Sequence, residues 1–440
     1  MPVISIIGPK GGIGKTTLSI NTAAALTRSL GKSLNHDSVC LFDLDLRLPT
    51  ISSILESHPQ KTFYDLFETL ANKTYQVDFL QSIYRILTIF NAYLNKEVKR
   101  DHPQLEKGLA LYKNLNMELF NFSDFTFGNE LQELFLERSQ IYTLGQIRVL
   151  RPLLKKIDMV QFKHILKKHE ANSRPSADEY INYIEEFKFS LLGGEVPILG
   201  KRNHRKRINE PAFLLLFLEF VNDLIERFNY IILDTPAGGV NHLSSLMNSI
   251  DQVLFIFDMS NNIAVNGSID ALHSFIDYYE DFYQDYKEGR LTGLDKAYVN
   301  RMIASKGEEA VTETIANKKF GIIFNRCQQS KEIDNCLDQL REYLDTLDRY
   351  DKYKDRIHMV GMVPHHKIIN ITNNRGTLFY DKDSALSNCI NLIAENIISA
   401  NEFSPTLSNS NDDILKFLQK NGNGKGGWMS RFKRIASSLG

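Results

Sequence analysis

The chain has 440 residues, 43% of them hydrophobic, with 52 Lys and Arg against 53 Asp and Glu. That length suits one large α/β core carrying additions, and a net charge of −1 excludes chain-wide attraction to nucleic acid, so any basic partner site must be local. The four cysteines, Cys40, Cys327, Cys336 and Cys389, form no CxxC pair, which argues against a disulfide framework or zinc site and fits a reducing cytosol.

The first apolar run, VISIIG at 3–8, is compact and β-branched and lacks the basic flank of a signal peptide, so it is expected to be a buried strand. It leads into GPKGGIGKTT at 8–17 and then into a small-residue helix, LSINTAAALTRSL. Strand, glycine-rich loop and helix in that order form a phosphate cradle, in which consecutive backbone N–H groups and the helix N-terminus face the anion. Gly11, Gly12 and Gly14 allow the close approach; Lys15 is placed to reach the β- and γ-phosphates, and Thr16 to ligate Mg²⁺ through its hydroxyl. Ile13 and Thr17 belong to the same nucleotide-binding stretch. A strict GxxxxGK[ST] loop would have glycine where this chain has Pro9, and it carries one lysine fewer than this one, which also has Lys10.

A second strand is expected at SVCLFDLD (38–45) and a third at YIILDTP (230–236); the intervening stretch of about 185 residues far exceeds a crossover connection. Residues 75–195 read as consecutive amphipathic helices, among them VDFLQSIYRILTIFNAYL and ADEYINYIEEFKFSLL. AFLLLFLEFV at 212–221 is short and interrupted by Glu219, so it is expected as a buried helix and not a membrane span. Further strands follow at QVLFIFDM (252–259), KFGIIFNR (319–326) and HMVGMVP (358–364), with a Tyr-rich, charged excursion over 278–318. The order predicts a doubly wound, mostly parallel α/β sheet whose ligands sit at the carboxyl ends of its strands. The expected division is core at 1–74, helical insertion at 75–195, core at 196–400, a Ser/Asn/Asp/Gly linker at 401–424 and an amphipathic helix at 425–440.

KGGIGKTT resembles the deviant Walker A motif of the MinD/ParA family of P-loop ATPases. The resemblance implies ATP and Mg²⁺ as cofactors and a homodimer formed on ATP binding, in which Lys10 crosses the interface to the partner's nucleotide. FDLDLRLP (42–49) is similar to the family's second motif, implying Asp43 near the Mg²⁺ shell and Asp45 orienting the attacking water. IILDTPAGG resembles Walker B and switch II, implying that Asp234 holds Mg²⁺ through water and that Gly238 and Gly239 respond to the γ-phosphate. IIFNRC places Asn325, with Arg326, where the family's adenine contact lies, and VPHHK, with Pro364, resembles the segment closing the base pocket. The second motif also resembles that of bacterial tyrosine kinases, but those lack the KGG lysine and end in a tyrosine cluster.

At the carboxyl end, Trp428, Met429, Phe432, Ile435 and Leu439 fall on one helical face, with Arg431, Lys433 and Arg434 on the remaining surface. That pattern is an interfacial anchor for an anionic membrane surface, and it resembles the tail of the MinD-like branch. Each large apolar residue contributes at most ~1.5 to 3 kcal/mol on full burial, so one copy binds weakly. Two copies on a dimer gain roughly 10² to 10⁴ in avidity. The expectation is a cytoplasmic ATPase, peripherally attached to the inner face of the cell membrane, with an unidentified activating or cargo protein. The alternatives are a ParA-like partition ATPase binding DNA nonspecifically, for which GKRNHRKR (200–207) is the strongest basic run, and an adaptor or chaperone acting through the insertion. His365 and His366 lack companion ligands in sequence, and Lys155, Lys156, Lys167 and Lys168 read as solvated helix faces.

Overall fold

The computed structural model describes residues 3–30, 38–44, 50–57, 61–115, 125–137, 141, 143–172, 176–193, 220, 224, 227–236, 250–292, 295–296, 299–300, 302–303, 307–373, 377–400 and 402–422. Two compact units divide the chain: one comprises Met1–Leu66, Ser176–Arg202 and Leu218–Gly440, the other Phe67–Pro175 and Asn203–Phe217.

The first unit is built on an eight-stranded sheet. In chain order its strands are β1 (Val3–Ile7), β2 (Val39–Asp43), β3 (Asn182–Ile184), β4 (Phe189–Leu192), β5 (Tyr230–Asp234), β6 (Gln252–Asp258), β7 (Lys319–Cys327) and β8 (Ile357–Pro364). Their spatial order is β3-β4-β2-β5-β1-β6-β7-β8, parallel throughout except for the β3–β4 pair. All six strands expected from the sequence are present. β1, β2, β6 and β8 are buried along their whole length, because helices cover both faces and leave no polar side to alternate with. Side chains still alternate between those faces. Leu254 and Ile256 join the cluster formed with the helices Lys15–Ser29 and Ser384–Ile398, while Phe255 turns to Phe275 of the helix Asn262–Lys287, 5.4 Å between ring centroids. Ala23, Ala24 and Ala25, all fully buried, let the first of these helices lie close to the sheet.

The segment ADEYINYIEEFKFSLL is not a helix. It folds as a single 3-10 turn followed by the β3–β4 hairpin, with β4 pairing in parallel with β2. The segment satisfies both periods: Tyr180, Ile184, Phe187 and Leu191 fit a helical face, while Phe187, Phe189 and Leu191 alternate. The strand period prevails because β2 offers an unpaired edge whose N–H and C=O groups need partners, and those three residues join the main core.

The stretch 402–422, within the expected linker, is ordered. Leu407 N–H donates to Ile357 O and Met359 N–H to Pro405 O, both at 2.9 Å, so this segment pairs with β8. Arg341 binds the carbonyls of Leu407 and Asn409 and the side chain of Asn411. A helix, Asn411–Gly422, then buries Ile414 and Leu418. Its Ser/Asn/Asp composition is cap chemistry: Ser410 Oγ accepts from Asp413 N–H at 3.2 Å and donates to the Asp413 carboxylate at 2.6 Å.

This docking buries His358 on β8, and burial pushes its imidazole down to about 4, aided by the charge of Lys319 and opposed by the Ser404 backbone and Asp355. An imidazole with a folded pKa below its unfolded value of about 6.5 binds protons more readily when unfolded. Its stabilisation is therefore complete above pH ~6.5 and is lost as the pH falls toward about 4. Urea denaturation over that interval should show the wild type losing up to about 3 kcal/mol more than His358→Leu. Equal slopes in the two proteins would reject burial of a neutral imidazole.

The second unit is helical over its described residues, with helices at Pro103–Asn114, Gly128–Leu136, Arg151–Leu154 and Met159–Asn172 beside the greater part of Phe63–Leu94. Its separate core is aromatic: Phe125 stacks on Phe162 at 5.1 Å, and Tyr112, fully buried, donates its hydroxyl to Leu134 O. AFLLLFLEFV lies almost entirely outside the described residues. No described helix is long and apolar enough to cross a membrane.

Candidate nucleotide-binding site

β1 ends at Ile7, and the first helix begins at Lys15, so the loop between them lies at the carboxyl edge of the sheet. The loop turns through Gly12 (φ 75°) and Gly14 (φ 96°), backbone conformations that L side chains rarely adopt. At Gly14 a side chain would also collide with Asn325, whose Nδ2 would lie 2.6 Å from its Cβ. Gly14 caps the helix without a side-chain bond, so the first-turn N–H groups and the positive end of the helix dipole are offered outward. Lys15 is buried at 7% exposure, its Nζ donating to Lys10 O at 3.1 Å. Ile13 turns its side chain into the core and presents only backbone to the site.

Two carboxylates stand behind the loop. Asp43 and Asp234 end neighbouring parallel strands and are register partners, each 1% exposed. Thr16 Oγ1 donates to Asp234 Oδ2 at 2.7 Å, Ser19 Oγ lies 2.9 Å from Asp234 Oδ1, and Ile51 N–H donates to Asp43 Oδ2 at 3.3 Å. A hydroxyl and two carboxylates form an all-oxygen donor set, which suits a hard divalent cation such as Mg²⁺.

The opposite wall comes from β6, β7 and β8. The β7–β8 register shifts between Asn325 and Cys327, and Arg326 takes a positive φ of 61°, which turns consecutive residues toward the loop. Asn325 Nδ2 donates to Ile13 O at 2.6 Å, and Arg326 donates to Gly12 O while pairing with Asp258 at 3.5 Å. Lys10, with its side chain 54% exposed, approaches the same Asp258 oxygen at 3.9 Å. Between these walls lies a cavity of about 780 Å³, lined by Gly11, Gly12, Lys15, Thr16 and Thr17 of the loop and first helix and by Val363, His365, His366, Ile369 and Phe379 from β8 and the chain after it. A cation-bearing glycine loop and apolar side chains in one lining match a phosphate chain joined to a base.

The structure thus brings together Gly11, Gly12, Gly14, Lys15, Thr16, Thr17, Asp43, Asp234, Asn325 and Arg326. Pro364 is buried at the end of β8, and its neighbours Val363 and His365 form the cavity wall in its place. Lys10 stands outside the cavity lining. Asp45, Gly238, Gly239, the basic run 201–207 and the whole of 425–440, including Trp428, Met429, Arg431, Phe432, Lys433, Arg434, Ile435 and Leu439, lie outside the described residues. Sequence reasoning missed Asp258, although it is the polar end of an expected strand. It also missed Ser19, one helical turn after Lys15 and so on the same face.

Over residues 4–379 the chain matches the CobQ/CobB/MinD/ParA nucleotide binding domain. A stretch of 66 residues, 15% of this chain, is 41% identical to the antiactivator FleN of Pseudomonas aeruginosa and spans 21% of that protein's length. Among solved structures, the cell division ATPase MinD of Pyrococcus furiosus is 14% identical with a TM-score of 0.44, over 91% of this chain and 99% of that one. The septum site-determining protein MinD of Pyrococcus horikoshii OT3, complexed with Mg-ADP, is 14% identical with a TM-score of 0.41, over 91% and 98% of the two chains.

Proposed function

The chain belongs to the CobQ/CobB/MinD/ParA nucleotide-binding domain family, and from that premise we propose that it is a Mg²⁺-dependent ATPase that dimerises around ATP, holds to the anionic inner face of the cell membrane and there positions or recruits another component. The observation that carries the catalytic part is the gathering of Thr16, Asp43 and Asp234 beside a buried Lys15, with Lys15 and Thr16 lining one cavity.

In this proposal the loop N–H groups and Lys15 hold the phosphates, and Thr16 with Asp43 and Asp234 holds the metal. Mg²⁺, when bound, neutralises charge on the β- and γ-oxygens. Asn325 and Arg326 brace the loop through the carbonyls of Ile13 and Gly12, so the cradle is set ahead of ligand arrival. Asp45 orients the attacking water. Lys10 leaves Asp258 and reaches the partner's phosphates, which makes the dimer conditional on ATP. Hydrolysis is slow without an activating partner, because the carboxylates at the described metal site, Asp43 and Asp234, are committed to Thr16, Ser19 and Ile51.

Membrane attachment is assigned to residues 425–440 on their amphipathic pattern. Sedimentation with anionic liposomes and with duplex DNA, each with ATP or ADP, tests the whole proposal. Liposome recovery that rises with ATP and disappears when 425–440 is deleted supports it. ATP-dependent capture by DNA in place of lipid overturns the membrane assignment.

A further inference from the structure

Between residues 148 and 170 the helical unit carries seven Lys and Arg, Arg148, Arg151, Lys155, Lys156, Lys163, Lys167 and Lys168, against two acids, Asp158 and Glu170, in a chain whose net charge is −1. Both acids are engaged: the Asp158 carboxylate accepts from the N–H groups of Val160 and Gln161, and that of Glu170 from the Gln81 side chain at 3.1 Å. On the helix Met159–Asn172, Phe162 and Leu166 face the core, whereas Val160, Lys163, His164, Lys167 and Lys168 are exposed at the spacing of one helical face. Among the described residues, no carboxylate forms an ion pair with any of the five lysines or with Arg148. Two aliphatic side chains of this stretch stand bare: Val160, on the lysine-bearing helix, is 81% exposed, and Val149, on the 3-10 segment Leu144–Leu150, is 64% exposed.

We propose that this face is a contact for an anionic lipid surface, separate from the 425–440 segment and independent of nucleotide. Cations alone would suit any polyanion. The exposed valines favour lipid, because aliphatic groups gain from the headgroup–acyl boundary and nothing from a phosphodiester backbone. A polybasic surface attracts the anionic leaflet by on the order of fivefold in affinity per Lys or Arg. A face of this kind supplies the second signal that stable attachment needs when a single apolar segment binds weakly.

The test uses the chain lacking residues 425–440, with and without Lys163→Glu, Lys167→Glu and Lys168→Glu together, sedimented with phosphatidylserine–phosphatidylcholine vesicles and with phosphatidylcholine alone. These lysines are exposed, and an unchanged far-ultraviolet circular dichroism spectrum and melting temperature verify the fold of the helical unit. The shortened chain should bind the anionic vesicles in a salt-sensitive way with ATP, ADP or neither, and the triple variant should bind at least tenfold more weakly. The proposal is overturned if the shortened chain shows no preference for anionic vesicles, if that preference survives the triple substitution, or if duplex DNA displaces the vesicles. Failure here leaves ATP-dependent binding of the full chain untouched, so the two proposals fail separately.

Discussion

Lys15→Ala is expected to abolish nucleotide binding. Lys15 is nearly buried at the start of the first helix, and its ammonium lies against the loop carbonyl of Lys10, so it needs little rearrangement to meet a phosphate. Two charge-assisted bonds to phosphate oxygens contribute about 1.5 to 3 kcal/mol each, and every 1.4 kcal/mol is a factor of ten in affinity. ATP and ADP should therefore both bind roughly 10² to 10⁴-fold more weakly, measured by isothermal titration calorimetry with Mg²⁺ present. The fold should survive, because the substitution removes a buried charge and leaves the bonds of Asn325 and Arg326 to the loop in place. A variant with unaltered melting temperature and unaltered affinity would remove Lys15 from the site. Under the proposed coupling, ATP-dependent liposome binding disappears with nucleotide binding.

Lys10→Ala should separate two events that Lys15→Ala loses together. In the single chain Lys10 stands half exposed, outside the cavity lining, and 3.9 Å from an Asp258 oxygen that Arg326 also engages. Its removal takes no donor from the chain's own cradle, so ATP affinity should change by only a few fold. If Lys10 instead acts on the partner's phosphates, the variant should stay monomeric at saturating ATP by light scattering. Its turnover should fall by about 10² to 10³, the range for losing one preorganised donor to the transition state. Dimers that persist in Lys10→Ala would end the role in trans. Asp258→Asn probes the same contact from the other side: releasing Lys10 from its resting partner should lower the ATP concentration at which dimers form.

The parts of the site carried by single segments are legible in the sequence. Gly12, Gly14, Lys15 and Thr16 sit on one strand–loop–helix unit, and local chemistry specifies it: left-handed glycines, a helix start, a lysine and a hydroxyl in sequence. Asp43 and Asp234 are legible as polar ends of apolar strands. Their adjacency is not, because it depends on β2 pairing with β5, whose residues lie far along the chain. The role of Asp258 is hidden for the same reason, and so is the bracing of Ile13 and Gly12 by Asn325 and Arg326.

Six strands, the nucleotide loop and a helical region with its own apolar faces can be read from the residues alone, since each is written in short-range periodicity and in the backbone preferences of glycine. The hairpin in place of a helix at 180–192, the packing of 402–422 against β8 and the shared register of the two carboxylates arise from long-range contacts. Those outcomes turn on which edge, groove or hydrogen-bonding group elsewhere in the chain remains to be satisfied, a property of the assembled core that no local pattern contains.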